Sequence, residues 1–332
     1  MNDIIVVIMD NIREIGENIN NYEGFDGSVF YDELLSIHSS MRVGGRASVY
    51  VEPDNESSFL CAIQQALNNN VPYYILGGGS NLVFADEGFK GIVISTLAFN
   101  KIQSGEPVDE GKVVLTCGAG VKTSTLAEYA AEQGITGFTN FAGLPGTVGG
   151  ACYMNARCYE TDFSEAIESV TYLDLSELKN NSGKDAQGAI KVYHNKKEDW
   201  SYKASPFMNK DWVIIGVNVH GEKGVKTPNE LEMLNEFKVQ DRKSKGHFKA
   251  PSCGSVFKNN RSFGKPSGQI IDELGLKGAM VGGAKVSDWH ANIIINTGNA
   301  TAKDVKALVR YVQFEVEEKT GFCLEPEIIF VN

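Results

Sequence analysis

Ser255 and Glu327 stand in the two short segments where this sequence sets acid–base side chains among apolar ones. Ser255 belongs to Pro251-Ser252-Cys253-Gly254-Ser255-Val256-Phe257-Lys258-Asn259, with basic residues upstream at Arg242, Lys243, Lys245 and Lys249. A serine here can donate a proton, although most serines in glycine-rich turns only cap backbone groups. Glu327 belongs to Leu324-Glu325-Pro326-Glu327-Ile328, at the start of the last strand-like stretch. A carboxyl group entering an apolar strand is a candidate general acid with a raised pKa. The plainer reading is a pair of surface carboxylates at a strand edge.

Two glycine clusters offer backbone chemistry. Gly77-Gly78-Gly79-Ser80-Asn81 follows directly on the strand-like run Tyr73–Leu76. Such a loop turns sharply and points N–H groups inward, as phosphate cradles do. It is neither GxGxxG nor a P-loop, since no helix pattern and no GK[ST] follow it. The second cluster, Gly143-Leu144-Pro145-Gly146-Thr147-Val148-Gly149-Gly150-Ala151, is expected to form a rigid turn with little side-chain bulk. A flat or anionic ligand can press against such backbone. Two loops of this kind suit a dinucleotide better than either alone; the alternative is two structural turns.

The elements that must position these segments mix helix and strand. Strands are expected at 47–51, 73–76, 92–95, 113–117, 169–175, 189–193, 212–219 and 327–331. Helices are expected at 3–20 and 57–68, and from the capping-box spacing of Thr125 and Glu128 to Gly134. Thr227-Pro228-Asn229-Glu230 is a strong helix start. The last helix has Thr301 as cap, a stripe of Val305, Leu308, Val309, Val312 and Val316, and Gly321 as stop. Polar residues 177–188 read as an exposed loop. The fold class is α+β, divided into an N-terminal helical or extended segment (1–39) and parts spanning 40–221 and 222–332, with a boundary near 221–226.

A net charge of −11 and the lack of a basic block argue against a duplex nucleic-acid partner. The cysteines (Cys61, Cys117, Cys152, Cys158, Cys253, Cys323) form neither a CxxC pair nor a Cys/His cluster. They read as reduced thiols of a reducing compartment, with no metal site. The apolar run Ile4–Met9 is too short to span a membrane and lacks the charges of a signal peptide. A cytoplasmic chain with no membrane and no obligate protein partner is therefore expected.

In this order the segments resemble the UDP-N-acetylenolpyruvoylglucosamine reductase (MurB) family. The resemblance rests on Arg42-Val43-Gly44-Gly45, LGGGSNLV at 76–83, GLPGTVGGACYMNA at 143–156, APSCGSVFKN at 250–259, VGGAKVSDWHANIIIN at 281–296 and LEPEI at 324–328. GSVFKN followed downstream by LEPE is the specific pair. The glycine loops alone point only to the wider set of FAD-binding domains resembling p-cresol methylhydroxylase.

The resemblance implies an FAD-binding domain of two α+β subdomains (40–221) and a smaller C-terminal α+β substrate domain (222–332). It implies two cofactors, FAD and NADPH, and a two-step reduction of UDP-N-acetylglucosamine enolpyruvate to UDP-N-acetylmuramate, a peptidoglycan precursor. By position, Ser255 matches the family's proton donor and Glu327 its carboxylic acid. Gly77, Gly78, Gly79, Ser80 and Asn81, with Gly143, Pro145, Gly146, Gly149 and Gly150, match the cofactor loops. Arg242 and Lys245 match positions near the substrate phosphates or the nicotinamide nucleotide, Asn259 matches a polar substrate contact, and His290 is given only a structural role.

The sequence departs from the family pattern at two places. Lys203, in Trp200-Ser201-Tyr202-Lys203-Ala204-Ser205-Pro206, stands where many members have the arginine that binds the substrate carboxylate. Lysine keeps the charge and loses the bidentate fork. Arg157 occupies a normally small position and either compensates or lies on the surface. No inserted tyrosine loop is visible, which matches the shorter, second type. Two rival readings remain: another FAD oxidoreductase of the same fold, and a flavin- or UDP-sugar-binding module without turnover.

Overall fold

The computed structural model describes residues 2–107, 111–180 and 186–332. The chain forms two units. The first comprises residues 1–32, 48–78 and 90–240, and the second residues 33–47, 79–89 and 241–332.

The first unit opens on helix α1 (Asn2–Asn20), strands β1 (Gly27–Leu34) and β2 (Arg46–Pro53), helix α2 (Glu56–Asn68) and strand β3 (Tyr73–Leu76). β5 (Phe89–Ser95) completes a four-stranded sheet of order β1-β2-β5-β3, in which β3 and β5 run parallel. Ile92 and Ile94 of β5 are fully buried and share a core with Ile12 and Ile15 of α1 and Phe59 and Ile63 of α2. Asn55 starts α2 by accepting the Ser58 N–H at 2.9 Å.

A second sheet follows, of order β11-β10-β12-β7-β6. It is built from β6 (Ile102–Ser104), β7 (Lys112–Gly118), β10 (Ile167–Asp174), β11 (Ile190–His194) and β12 (Trp212–Glu222), all neighbours antiparallel. Between β7 and β10 lie α3 (Thr123–Glu132), α4 (Val148–Tyr153) and the small hairpin β8 (Arg157–Cys158) and β9 (Thr161–Asp162). Helix α5 (Leu175–Asn180) joins β10 to the segment before β11, and α6 (Pro228–Ser244) ends the unit, its last turn falling in the second. Thr227 and Glu230 cap α6 reciprocally, the Glu230 N–H on Thr227 Oγ1 at 3.3 Å and the Thr227 N–H on Glu230 Oε2 at 2.8 Å.

Three local expectations change. α3 begins at Thr123 with Lys122 as its cap and no side-chain cap bond, so Thr125 lies inside the helix. The carbonyl of Gly146 accepts the Thr123 N–H at 3.2 Å and so satisfies one of the helix's first N–H groups from outside the helix. The polar stretch from 177 is helical as far as Asn180, because Leu178 is buried at 1% exposure and Asp174 Oδ1 accepts the N–H groups of Ser176 and Glu177. Residues 181–185 of that stretch lie outside the described residues, and Ala186–Ala189 form a 3-10 turn. The second half of the second glycine cluster is helix α4, not turn, with Thr147 as its cap.

The second unit holds β4 (Leu82–Phe84), β13 (Ser252–Ser255), α7 (Ser267–Glu273), β14 (Met280–Val281), β15 (Ala284–Val286), β16 (Ile293–Asn296), α8 (Ala302–Thr320) and β17 (Ile329–Val331). Its sheet has the order β13-β16-β15-β14, and β17 pairs parallel with β4. The α8 stripe of Val305, Leu308, Val309, Val312 and Val316 is buried in the unit's core. Thr301 and Asp304 form the capping box at its start, and Gly321, at φ 74°, ends it. Among the described residues no helix is long and apolar enough to cross a membrane.

Candidate functional site

Within the first unit the two glycine clusters meet. A Cβ on Gly78 would stand 2.8 Å from Gly146 Cα, and one on Gly77 would stand 2.7 Å from Thr147 Oγ1. That hydroxyl is already engaged, accepting the Gly150 N–H at 3.3 Å. Close approach of the loops therefore excludes side chains at positions 77 and 78. Gly143 (φ 69°) and Gly146 (φ 109°) are needed for a different reason, their left-handed backbone.

An open cleft of about 230 Å³ lies where the clusters meet, lined by Gly78, Lys122, Ser124, Pro145, Gly146 and Thr147 among others. It is smaller than the roughly 300–1,000 Å³ that encloses a drug-sized ligand, so it has room for part of a dinucleotide, not all of it. Lys122 and Ser124 offer a charge and a hydroxyl for a phosphate beside the glycine backbone and an apolar wall of Leu97, Leu144 and Pro145, and these residues are compatible with part of FAD. Lys122 carried no signal in the sequence, because only the antiparallel bridge from Lys122 to Thr147 brings it to the loop. Gly149, expected against the cofactor, also has a packing role. A Cβ there would stand 2.8 Å from Ala119 Cβ and 2.9 Å from the Ala119 carbonyl oxygen, so packing of α4 explains that glycine.

Lys203 also belongs to the first unit, in a tight turn where Ser201 and Ala204 exchange backbone hydrogen bonds of 3.2 and 3.1 Å. Asn155 Nδ2 donates to the Ser201 carbonyl at 2.8 Å and Ser205 Oγ to that of Tyr153 at 2.6 Å. These bonds pin the Lys203 turn to the end of α4. Lys203 itself is left-handed, at φ 57°. Arg157 is committed elsewhere: its Nη1 lies 2.9 Å from Asp162 Oδ2 across the β8–β9 hairpin, and that bond raises its already high pKa.

In the second unit Ser255 and Glu327 come together. Ser255 closes β13, and the Glu327 N–H donates to the carbonyl of the next residue, Val256, at 2.7 Å. The two glutamates of LEPE separate here. Glu325 is exposed and pairs with Lys258 at 2.6 Å, whereas Glu327 is half-buried. Asn81 Nδ2 donates to the Glu327 carbonyl and the Asn81 carbonyl accepts the Ile329 N–H, each at 3.0 Å. Gly79 sits at φ 60°, where a Cβ would strike the His38 carbonyl. Ser40 ties this part of the first cluster to β13, its N–H on the Gly79 carbonyl at 3.0 Å and its hydroxyl on the Ser252 carbonyl at 2.7 Å. Gly254, at φ 71°, leaves open space beside Ser255, since no atom lies within 4 Å of its Cβ position.

The remaining polar positions of this unit are already held in part by the protein. Asn259 is exposed, and its Oδ1 accepts the Ser267 N–H at 2.9 Å at the start of α7. Lys245 is exposed and pairs with Asp241 at 2.7 Å. Arg242 is 7% exposed, its guanidinium 5.9 Å from the centre of the Phe248 ring. The rings of His247 and His290 lie 5.7 Å apart. Burial, then Arg242, pushes the His247 pKa down to about 4. Burial also lowers that of His290.

A sequence profile for the C-terminal domain of UDP-N-acetylenolpyruvoylglucosamine reductase matches residues 246–331, and a profile for an FAD binding domain matches residues 47–176. The UDP-N-acetylenolpyruvoylglucosamine reductase of Treponema denticola is 40% identical over 98% of this chain and 99% of that protein. The Borreliella burgdorferi protein of the same name is 38% identical over 90% of this chain and 93% of its own length. Among solved structures, the MurB reductase of Thermus caldophilus superposes with a TM-score of 0.70 at 29% identity, covering 93% of this chain and 100% of that one.

Proposed function

The chain belongs to the UDP-N-acetylenolpyruvoylglucosamine reductase family, and from that premise we propose that it reduces UDP-N-acetylglucosamine enolpyruvate to UDP-N-acetylmuramate with electrons from NADPH. It is an FAD-dependent oxidoreductase. The proposed setting is peptidoglycan precursor synthesis in the cytoplasm. The observation that carries this reading is the junction of Ser255 and Glu327 on adjoining backbones, through the 2.7 Å bond from the Glu327 N–H to the Val256 carbonyl.

Bound FAD supplies the hydride that reaches the enolpyruvyl double bond. The protein must then hold the carboxylate, stabilise the developing enolate and deliver one proton. Ser255 is the proposed proton donor. A serine hydroxyl is a weak acid and acts only against a strongly basic carbanion, with its developing charge supported by neighbours. Glu327 is proposed to polarise the enolpyruvyl group, and Lys203 to hold its carboxylate. Arg242, Lys245 and Asn259 are the proposed substrate contacts. We assign the first unit to FAD binding and the second to substrate binding, so that the boundary expected near 221–226 falls instead at residue 240.

An anaerobic titration tests the reading. NADPH should bleach the flavin spectrum, and UDP-N-acetylglucosamine enolpyruvate should restore it without oxygen. Bleaching without restoration would indicate a different FAD oxidoreductase, and no bleaching a binding module without turnover.

A further inference from the structure

Asn292, at 4% exposure, is a buried polar side chain that the proposed chemistry leaves unused. It stands just before β16, and each of its hydrogen-bonding groups is engaged. Its N–H donates to His290 Nδ1 at 3.2 Å. The others reach the two residues after Ser255. Its carbonyl accepts the Val256 N–H at 2.8 Å, its Oδ1 accepts the Phe257 N–H at 2.9 Å, and its Nδ2 donates to the Phe257 carbonyl at 2.8 Å. The two amide contacts need opposite polarity, so the partners fix which way the amide faces.

This grip takes over where the sheet ends. The β13–β16 ladder pairs Ser255 with Ile293, after an irregularity between Ser252 and Ser255. Beyond Ser255 the Asn292 side chain does the work of a partner strand. The Val256 carbonyl is held from Glu327. On its other side Ser255 follows Gly254, whose left-handed backbone has no atom within 4 Å of its Cβ position. Ser255 is therefore held on its N-terminal side at Ser252, by Ser40 and the pairing with Ile295, and on its C-terminal side by Asn292. We infer that Asn292 is a positioning residue, fixing the 255–257 backbone and with it the place from which the Ser255 hydroxyl acts. This rests on the reading of Ser255 as proton donor.

The test compares Asn292→Ala and Asn292→Asp with Asn296→Ala. Asn296 lies on the same strand at 6% exposure, but grips Met41, Arg42, Gly298 and Ala300 instead of residues 255–257. FAD content, unfolding temperature and both anaerobic half-reactions are measured. In Asn292→Ala the reoxidation by UDP-N-acetylglucosamine enolpyruvate should slow by about a hundredfold, the scale of a misplaced catalytic group, while bleaching by NADPH keeps the parent rate. Asn292→Asp retains the acceptor for the Phe257 N–H and loses the donor, and the same selective loss is expected. Asn296→Ala should lower the unfolding temperature and leave the ratio of the two rates unchanged. Equal slowing of both half-reactions at Asn292, or a selective loss in Asn296→Ala, overturns the assignment. If Asn292→Ala does not fold, a parent-like ratio in Asn292→Asp overturns it. A parent protein that is bleached but never reoxidised overturns the functional reading itself, and this assignment with it.

Discussion

The N–H of Glu327 lies 2.7 Å from the carbonyl oxygen of Val256. The bond belongs to a short ladder around the bridge from Phe257 to Pro326. Proline has no N–H to give such a ladder. None is needed at this non-hydrogen-bonded pair, because the bonds are made by the flanking residues, the Glu327 N–H to Val256 and the Lys258 N–H to the Glu325 carbonyl at 2.9 Å. Pro326 thus sits between two anchored residues, and the serine and the acid are held through main chain rather than through mobile side chains.

Ser255→Ala should separate the two half-reactions. Electron arrival from NADPH needs no proton from Ser255, so bleaching should persist at the parent rate. Restoration by the enolpyruvyl substrate should slow by about a hundredfold or more, as loss of a general acid does. Stopped-flow absorbance under nitrogen reads both. Equal slowing of the two would make Ser255 a support of the flavin pocket instead.

Gly78→Ala should lose FAD. Its Cβ would meet Gly146 at Cα (2.8 Å) and at the carbonyl carbon (3.2 Å), and backbone atoms cannot rotate aside. The loops must part, and the cleft parts with them. Gly264→Ala is the comparison: it is left-handed at φ 71° with nothing within 4 Å, so it should cost about 1–2 kcal/mol of stability and keep its flavin. The ratio of flavin to protein absorbance after gel filtration decides the matter, and full occupancy in Gly78→Ala would refute the placement.

What the sequence discloses depends on how far each residue's partner lies along the chain. Tyr73–Leu76 forms a strand as expected, and α8 runs between its caps Thr301 and Gly321, because their signals are local: an apolar run stopped by glycine, and a cap at each end. The start of α3 was not legible, because the carbonyl that serves Thr123 comes from Gly146. Gly149 could not be assigned from its loop, since the atoms that exclude a side chain there belong to Ala119. Asn292 is hidden for the same reason: nothing near it in sequence announces that its amide spans Phe257.

His247 should make the protein less stable in mild acid. Its folded pKa is pushed from 6.5 down to about 4, by burial first and then by Arg242, His290 and Lys245, with only Asp241 opposing. Between those values the unfolded chain binds a proton that the folded one refuses, so stability falls as pH drops from about 6.5 toward 4. Asp304 and Glu230, also lowered, act mainly below their ordinary values of 3.8 and 4.5. Unfolding temperatures between about pH 6.5 and 5 thus isolate the histidines. His247→Gln should flatten the slope in that window, leaving a remainder from His290 and His220, whose pKa values burial lowers as well. An unchanged slope would mean that His247 is protonated in the folded state.

Lys203 offers a test in which stability and turnover should move in opposite directions. Its backbone is left-handed at φ 57°, a conformation that costs a side chain roughly 1–2 kcal/mol and glycine little. Lys203→Gly should therefore raise the unfolding temperature. If Lys203 clamps the substrate carboxylate, the same change should slow reoxidation by the enolpyruvyl substrate and leave bleaching intact. Charge that develops on the substrate strengthens the contact in the transition state, so the loss should appear in kcat as well as in KM. Lys203→Arg keeps the charge and adds the fork, and should match or exceed the parent. Arg157 is the control, since its guanidinium is spent on Asp162 at 2.9 Å. Arg157→Ala should loosen the β8–β9 hairpin, since it strands the partly buried Asp162, with little effect on turnover. The reverse result, turnover lost at Arg157 and kept at Lys203, would place the clamp on Arg157.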